Sequence, residues 1–114
     1  MKKEMTVGEL FKAQDRLDQV IVDNLLTRPS RDQLINDKMM ATMVEVGEMA
    51  NEHRGFKYWS AKGPNEEKLK EEYIDVLHFV LSLGNEIFYS NHNEIIKKYI
   101  EKNVINHQRQ QEGY

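Results

Sequence analysis

Apolar residues fall three or four apart along almost the whole chain, and four helical segments can be read from that spacing. In the first, Val7, Leu10, Phe11, Leu17, Val20, Ile21 and Leu25 form one stripe, predicting a helix from about Thr6 to Leu26. Gln14 lies within the arc of that stripe, where a polar group needs a buried neighbour or a ligand as its partner. The second helix is expected to start at Ser30, after Pro29, with Gln33 placed to complete a capping box. Its apolar face comprises Leu34, Ile35, Met39, Met40, Met43, Val44 and Met49, and Gly55 is a natural stop after roughly 37 Å of helix. A third helix is expected from near Asn65, with Glu66 and Glu67 in its first turn, through Leu69, Tyr73, Val76, Leu77, Val80 and Leu81 to about Phe88. A fourth begins around Ser90–Asn93 and carries Ile95, Ile96, Tyr99, Ile100, Val104 and Ile105 towards Gln111.

Composition agrees with an all-α chain. Hydrophobic residues make up 39% and charged residues 31% of the 114, with only two prolines and six glycines, which suits narrow buried stripes rather than a sandwich or barrel. The length predicts one domain, spanning residues 1–114, small enough to gain from oligomerising. A formal charge of −3 leaves no basic face of the kind that binds nucleic acid or anionic membrane. Without cysteine, disulfides and thiolate metal sites are excluded. The start, MKKEMTVGELF, lacks an apolar run of signal-peptide length, and no stretch reaches membrane-spanning length, so a cytoplasmic protein is expected.

The chemistry is concentrated in two acidic pairs. Glu45 and Glu48 lie at i, i+3 on the second helix, and Glu72 and Asp75 repeat the spacing on the third. Antiparallel packing of those helices would gather four carboxylates around one space, and their repulsion calls for cations between them. Hard oxygen ligands favour Mg²⁺, with Mn²⁺ as the alternative. Chance pairs on solvated faces are common, but Val44, Met49, Tyr73, Ile74, Val76 and Leu77 surround these acids, whereas Glu66, Glu67 and Glu71 lack that setting. Asp75-x-x-His78 alone could suggest a di-iron bundle, but that site needs a second such motif, and Glu45 and Glu48 have no histidine three residues on. Between the helices, GFKYWSAKGP packs three aromatics and two lysines into a break.

Together, Glu45-Val-Gly-Glu48, the following ANEHRGFKYWS, and Glu72-Tyr-Ile-Asp75-Val-Leu-His-Phe resemble the dimeric dUTPases of the all-α, MazG-like nucleoside triphosphate pyrophosphatase superfamily. The closing segment from Lys102 through Asn106 and Arg109 to Gly113-Tyr114 is similar to that family's final motif. The resemblance implies a four-helix MazG-like bundle, assembled as a homodimer or dimer of dimers, that hydrolyses dUTP to dUMP and pyrophosphate. It implies Glu45, Glu48, Glu72 and Asp75 as magnesium ligands, one of the glutamates also orienting or deprotonating the attacking water. Lys57, Lys62, Lys102 and Arg109 would take phosphate oxygens, with Tyr114 closing over them. Gln14 and Asn106 would read the uracil edge, Trp59 or Phe79 would line base and sugar, and His78 would lie near the deoxyribose. Lys102, Asn106 and Arg109 do share a helical face by their i, i+4, i+7 spacing. The chain departs from the pattern in its shortness and at Asp18, near where a second base-binding amide is expected. A broader pyrophosphatase acting on dCTP or damaged nucleotides, or a non-catalytic helical interaction module, are the competing readings.

Overall fold

In a computed structural model, which describes residues 4–113, the chain forms four helices: α1 (Val7–Asp23), α2 (Arg31–His53), α3 (Glu66–Ile87) and α4 (His92–Gln111). The described residues contain no strand, and the fold is all-α. Each helix opens on a polar cap. Thr6 Oγ1 accepts from the Glu9 amide at 3.1 Å while Glu9 Oε1 accepts from the Thr6 amide at 3.3 Å, a reciprocal capping box. Ser30 caps α2 as the sequence predicts, accepting from the Gln33 amide at 3.1 Å. The return bond from Gln33 does not form, so the complete box belongs to α1 instead. Asn65 and Asn91 cap α3 and α4.

Helix ends differ from the predicted ones by one to three residues, the largest at α1, which stops at Asp23 rather than Leu26. The left-handed residue that closes α2 is Arg54, with φ 68°, not Gly55. That conformation disfavours a side chain, but the Arg54 guanidinium offsets it by reaching across the break to the Lys62 carbonyl at 3.2 Å and Ser60 Oγ at 3.0 Å. A Cβ at Gly55 would meet the His53 ring at 2.6 Å and displace it from the bond its Nδ1 accepts from the Gly55 amide. At the other end of the pair, Arg31 donates to the Glu86 and Ile87 carbonyls at 3.3 and 3.1 Å and lies 4.2 Å over the Tyr89 ring. It thereby satisfies the orphaned carbonyls at the C-terminus of α3.

The α2–α3 packing is the most extensive in the chain and is antiparallel, with Lys38 against Glu86 near one end and Glu45 against Asp75 in the middle. Helix α1 packs on α3 beside α2, with Lys38 of α2 reaching to 3.8 Å from Asp18. Asn85 Nδ2 donates to the Phe11 carbonyl at 3.0 Å, and Ser82 Oγ donates to Asp18 Oδ2 at 2.7 Å. The start of α4 docks where Phe11 stacks on His92 at 5.3 Å and Ile95 approaches Gly84, whose lack of a Cβ lets Phe11 close in.

The predicted apolar stripes are real, but this chain does not cover them. Among the described residues only Phe11 and Leu81 are buried hydrophobics, while Met43, Val44, Tyr73, Ile100 and Val104 are all more than half exposed. The radius of gyration is 17.3 Å, against about 13 Å for a compact chain of this length. Three helices form a layer with α4 reaching out from it, so the stripes have too few neighbours within one copy.

Candidate active site

Glu45 on α2 faces Glu72 and Asp75 on α3, and one oxygen from each lies within 4.8 Å of the others. Glu48, one turn along α2, is exposed, and its charge bears on Glu45. Neither lysine nor arginine pairs with Glu45, Glu72 or Asp75 among the described residues. Glu45 Oε2 and Glu72 Oε2 are buried without any hydrogen-bond partner. Burial raises the pKa of Glu45 above its ordinary 4.5, with the charges of Glu48, Asp75 and Glu72 adding to it. Glu72 is raised for the same reason, burial first and then Asp75, Glu48, Glu52 and Glu71. Two buried oxygens without donors beside like charges are what a hard cation would relieve, and an all-oxygen donor set suits Mg²⁺ or Mn²⁺. His78 is not part of the convergent group, which argues against a carboxylate–histidine iron site.

From the carboxylates a cavity of about 260 Å³ runs towards α1, lined by Gln14, Asp18, Glu45, Asp75, Phe79 and Ser82 among others, with His78 at its side. Three residues assigned from the sequence to base and sugar (Gln14, His78 and Phe79) therefore meet in one hollow that opens on the acidic cluster. The partner that Gln14 requires is Asp18, whose Oδ1 accepts from Gln14 Nε2 at 2.9 Å. A larger hollow of about 470 Å³ lies between the N-termini of α1 and α4. Its polar groups Thr6, Glu9 and Asn91 are committed to helix caps, and it does not touch the acidic cluster.

Lys62 lies at the far end of α2 in a hollow shared with Glu52, Arg54 and Lys68. Arg54 and Lys68 were not singled out by their sequence context, and nothing but the fold brings them there. Lys57 is half-buried against the Phe56 ring, 5.8 Å from its centre, while Trp59 is 64% exposed and packs edge-on with Phe56 and Tyr58 rather than lining the cavity. Lys102, Asn106 and Arg109 are exposed along the outer half of α4 and line neither hollow. Within one copy, then, Gln14 and Asn106 are not brought together. Tyr114 lies outside the described residues. Sequence reasoning also passed over Ser82 and Asn85, whose signal was available: two polar residues at i, i+3 beside the stripe of Leu77 and Leu81.

No helix among the described residues is long and apolar enough to cross a membrane. Neither a curated protein nor a solved structure matches the chain. A family model described as dUTPase, however, matches residues 6–94, which takes in α1, α2, α3 and both acidic pairs and stops just inside α4, before Lys102, Asn106 and Arg109. The match covers more than three quarters of the chain and spans every element that builds the acidic cavity, so the protein belongs to the dUTPase family.

Proposed function

We propose that the protein is a magnesium-dependent nucleoside triphosphate pyrophosphohydrolase that converts dUTP to dUMP and pyrophosphate in the cytoplasm. The observation that carries this reading is the pair of buried, partnerless oxygens on Glu45 and Glu72, in a cluster whose Glu45 and Asp75 line a cavity that also holds Gln14, His78 and Phe79. Glu45, Glu72 and Asp75 would hold the cation, which supplies charge neutralisation for the phosphate chain and lowers the barrier to water attack. Glu48, at the edge of the cluster, orients the attacking water and accepts its proton. Phe79 walls the sugar beside His78, and Gln14 offers the base an amide whose Oε1 has no protein partner. Lys62, with Arg54 and Lys68, stands on the side of the cluster where a departing pyrophosphate would need cations. No covalent nucleophile is needed.

The working unit is proposed to be a homodimer or a dimer of dimers. Met40, Met43 and Val44 on α2 and Tyr99, Ile100 and Val104 on α4 are each more than half exposed, leaving apolar side chains that a second copy would cover. Covering them with a second copy would also give Lys102, Asn106 and Arg109 a route to a neighbouring site. The test is phosphate release from a panel of deoxynucleoside triphosphates, with and without added pyrophosphatase and with Mg²⁺ present or chelated. Release that depends on both Mg²⁺ and pyrophosphatase, and that includes dUTP, is expected. Absence of release from every nucleotide would leave the interaction-module reading.

A further inference from the structure

Resting on that reading of the site, we infer that Arg54 is a positioning residue whose guanidinium clamps the break between α2 and α3 into a loop, holding Lys62 in place for the phosphate chain. The residue that ends α2 is left-handed, with φ 68°, a conformation that penalises any residue bearing a Cβ and that glycine adopts freely. Gly55 stands one position too late to take it. A side chain held at such a position points to a role in what it touches. Arg54 Nε donates to the Lys62 carbonyl at 3.2 Å, and Nη2 donates to Ser60 Oγ at 3.0 Å. Ser60 Oγ also accepts from the Lys62 amide at 3.2 Å. Both the N–H and the C=O of Lys62 are therefore tied, one through Ser60 and one directly, to the residue that caps α2.

The chain between is closed on the same residue. The Lys57 amide donates to the Arg54 carbonyl at 3.0 Å, and the Ser60 amide donates to the Lys57 carbonyl at 3.1 Å. All these bonds fall on backbone or on Ser60, and the Lys62 side chain pairs with no carboxylate among the described residues. Lys62 lines a hollow of about 440 Å³ with Arg54, Lys68 and Glu52, three cations against one carboxylate. Glu52 also bears on Glu72, so this hollow adjoins the acidic cluster. A lysine fixed there before a phosphate arrives removes an ordering cost from binding. Arginine is needed because its planar fork spans a carbonyl and a hydroxyl at once. A lysine at 54 would keep the charge without that two-point grip.

The experiment compares dUTP hydrolysis with Mg²⁺ in wild type, Arg54→Lys, Arg54→Ala, Ser60→Ala and the Arg54→Ala/Ser60→Ala double variant. Inorganic pyrophosphate is titrated onto each protein and followed by the emission of Trp59, the single tryptophan, which lies inside the clamped loop against Phe56 and Tyr58. Arg54→Lys and Arg54→Ala should raise KM alike, by about tenfold, with kcat held within about threefold. Ser60→Ala should raise KM less, and the double variant should be no worse than Arg54→Ala, because both changes open one clamp. Pyrophosphate affinity should fall with KM, and Trp59 emission of the ligand-free Arg54 variants should shift. Wild-type KM in Arg54→Lys, which would mean that charge alone acts, overturns the inference, as do effects of Arg54→Ala and Ser60→Ala that simply add. A purely structural clamp would lower Tm with KM and pyrophosphate affinity unmoved, and that result overturns it too. If the Arg54 variants do not fold, Ser60→Ala decides, and unchanged KM with unchanged Trp59 emission overturns it. In a protein that hydrolyses no nucleotide, weaker pyrophosphate binding by Arg54→Lys supports the clamp and sinks the hydrolase reading, whereas unchanged binding overturns the clamp.

Discussion

Asn85 joins three helices, and its removal should loosen the wall that carries Gln14 and Asp18. The side chain is 5% exposed. Its Nδ2 donates to the Phe11 carbonyl of α1 at 3.0 Å, so Oδ1 is the acceptor for His92 Nε2 of α4 at 2.9 Å, and that ring nitrogen must carry the hydrogen. Asn85→Ala deletes both bonds. Each contributes about 0.5–1.5 kcal/mol net, and a buried group left unmatched adds to the loss. His92 keeps Asp15 at 3.4 Å, which limits the cost on that side. Together these give about 3 kcal/mol, or a Tm lower by about 12 °C at roughly 4 °C per kcal/mol for a chain of this length.

The assay is thermal unfolding by circular dichroism at matched protein concentration, since assembly makes Tm concentration-dependent. Asn85→Asp is the informative control: it keeps the acceptor for His92 but sets a carboxylate against the Phe11 carbonyl. At neutral pH it should therefore cost at least as much as alanine. Because Gln14 follows Phe11 by one turn of α1, KM for the nucleotide should rise in both variants more than kcat falls. An Asn85→Ala protein melting within about 2 °C of wild type would refute the reasoning and mean that apolar contact alone docks α1.

Other outcomes follow from the acidic cluster and from α4. Glu48→Ala and Asp75→Ala should each abolish Mg²⁺-dependent phosphate release without loss of helical circular dichroism, and activity above a tenth of wild type in both would remove them from the site. The raised pKa values of Glu45 and Glu72 mean that the folded, metal-free protein binds their protons more tightly than the unfolded chain does. Folding is therefore favoured below 4.5 and that advantage is lost as pH rises through the higher folded values. Metal-free Glu45→Gln/Glu72→Gln protein should melt above wild type at pH 7, with the gap closing as pH falls towards 4.5; a gap independent of pH would contradict this. Arg109→Ala should raise KM, and mixing it with Glu72→Gln protein should restore activity if α4 serves the neighbouring copy's site. Equal activity before and after mixing would place its action within one copy or nowhere.

Helix number, order and approximate ends were legible because periodicity and capping are local. The acidic pairs were legible too, since i, i+3 spacing fixes a shared face and a short connection forces α2 and α3 antiparallel. Local signals failed where the answer depended on an interaction across space. Arg54 rather than Gly55 takes the left-handed turn because its guanidinium finds Ser60 and Lys62, which no helix-ending rule records. Gln14 was recognisable as a polar group in need of a partner and Asp18 stands one turn on, but whether that acid faces inward depends on Ser82, 64 residues further on. Asn106 fell on a face with Lys102 and Arg109, yet where that face lies relative to the cavity is set by assembly, not by periodicity.

One stripe of α3 accounts for how these parts are held in relation to each other. Glu72, Asp75, Phe79, Ser82 and Glu86 follow at three- and four-residue steps, so they project along one side of the same helix. The carboxylates proposed to hold the metal occupy its second and third turns, the proposed sugar wall its middle, the hydroxyl that bonds Asp18 comes next, and Glu86, paired with Lys38 at 3.1 Å, fastens the far end to α2. From Asp75 to Ser82 the rise is about 10 Å at 1.5 Å per residue, a spacing fixed by the hydrogen-bonded helix rather than by loops. The groups proposed for phosphate chemistry and for base reading are thus set on one rigid element. A change that shortened that interval, such as deletion of one residue between Phe79 and Ser82, would turn Ser82 by about 100° away from Asp18 while leaving the carboxylates in place. Such a protein should still bind Mg²⁺ through the acidic cluster yet lose discrimination between bases, which separates the two halves of the site experimentally. Loss of Mg²⁺ binding together with base preference would instead mean that the two halves do not sit on α3 as independent segments.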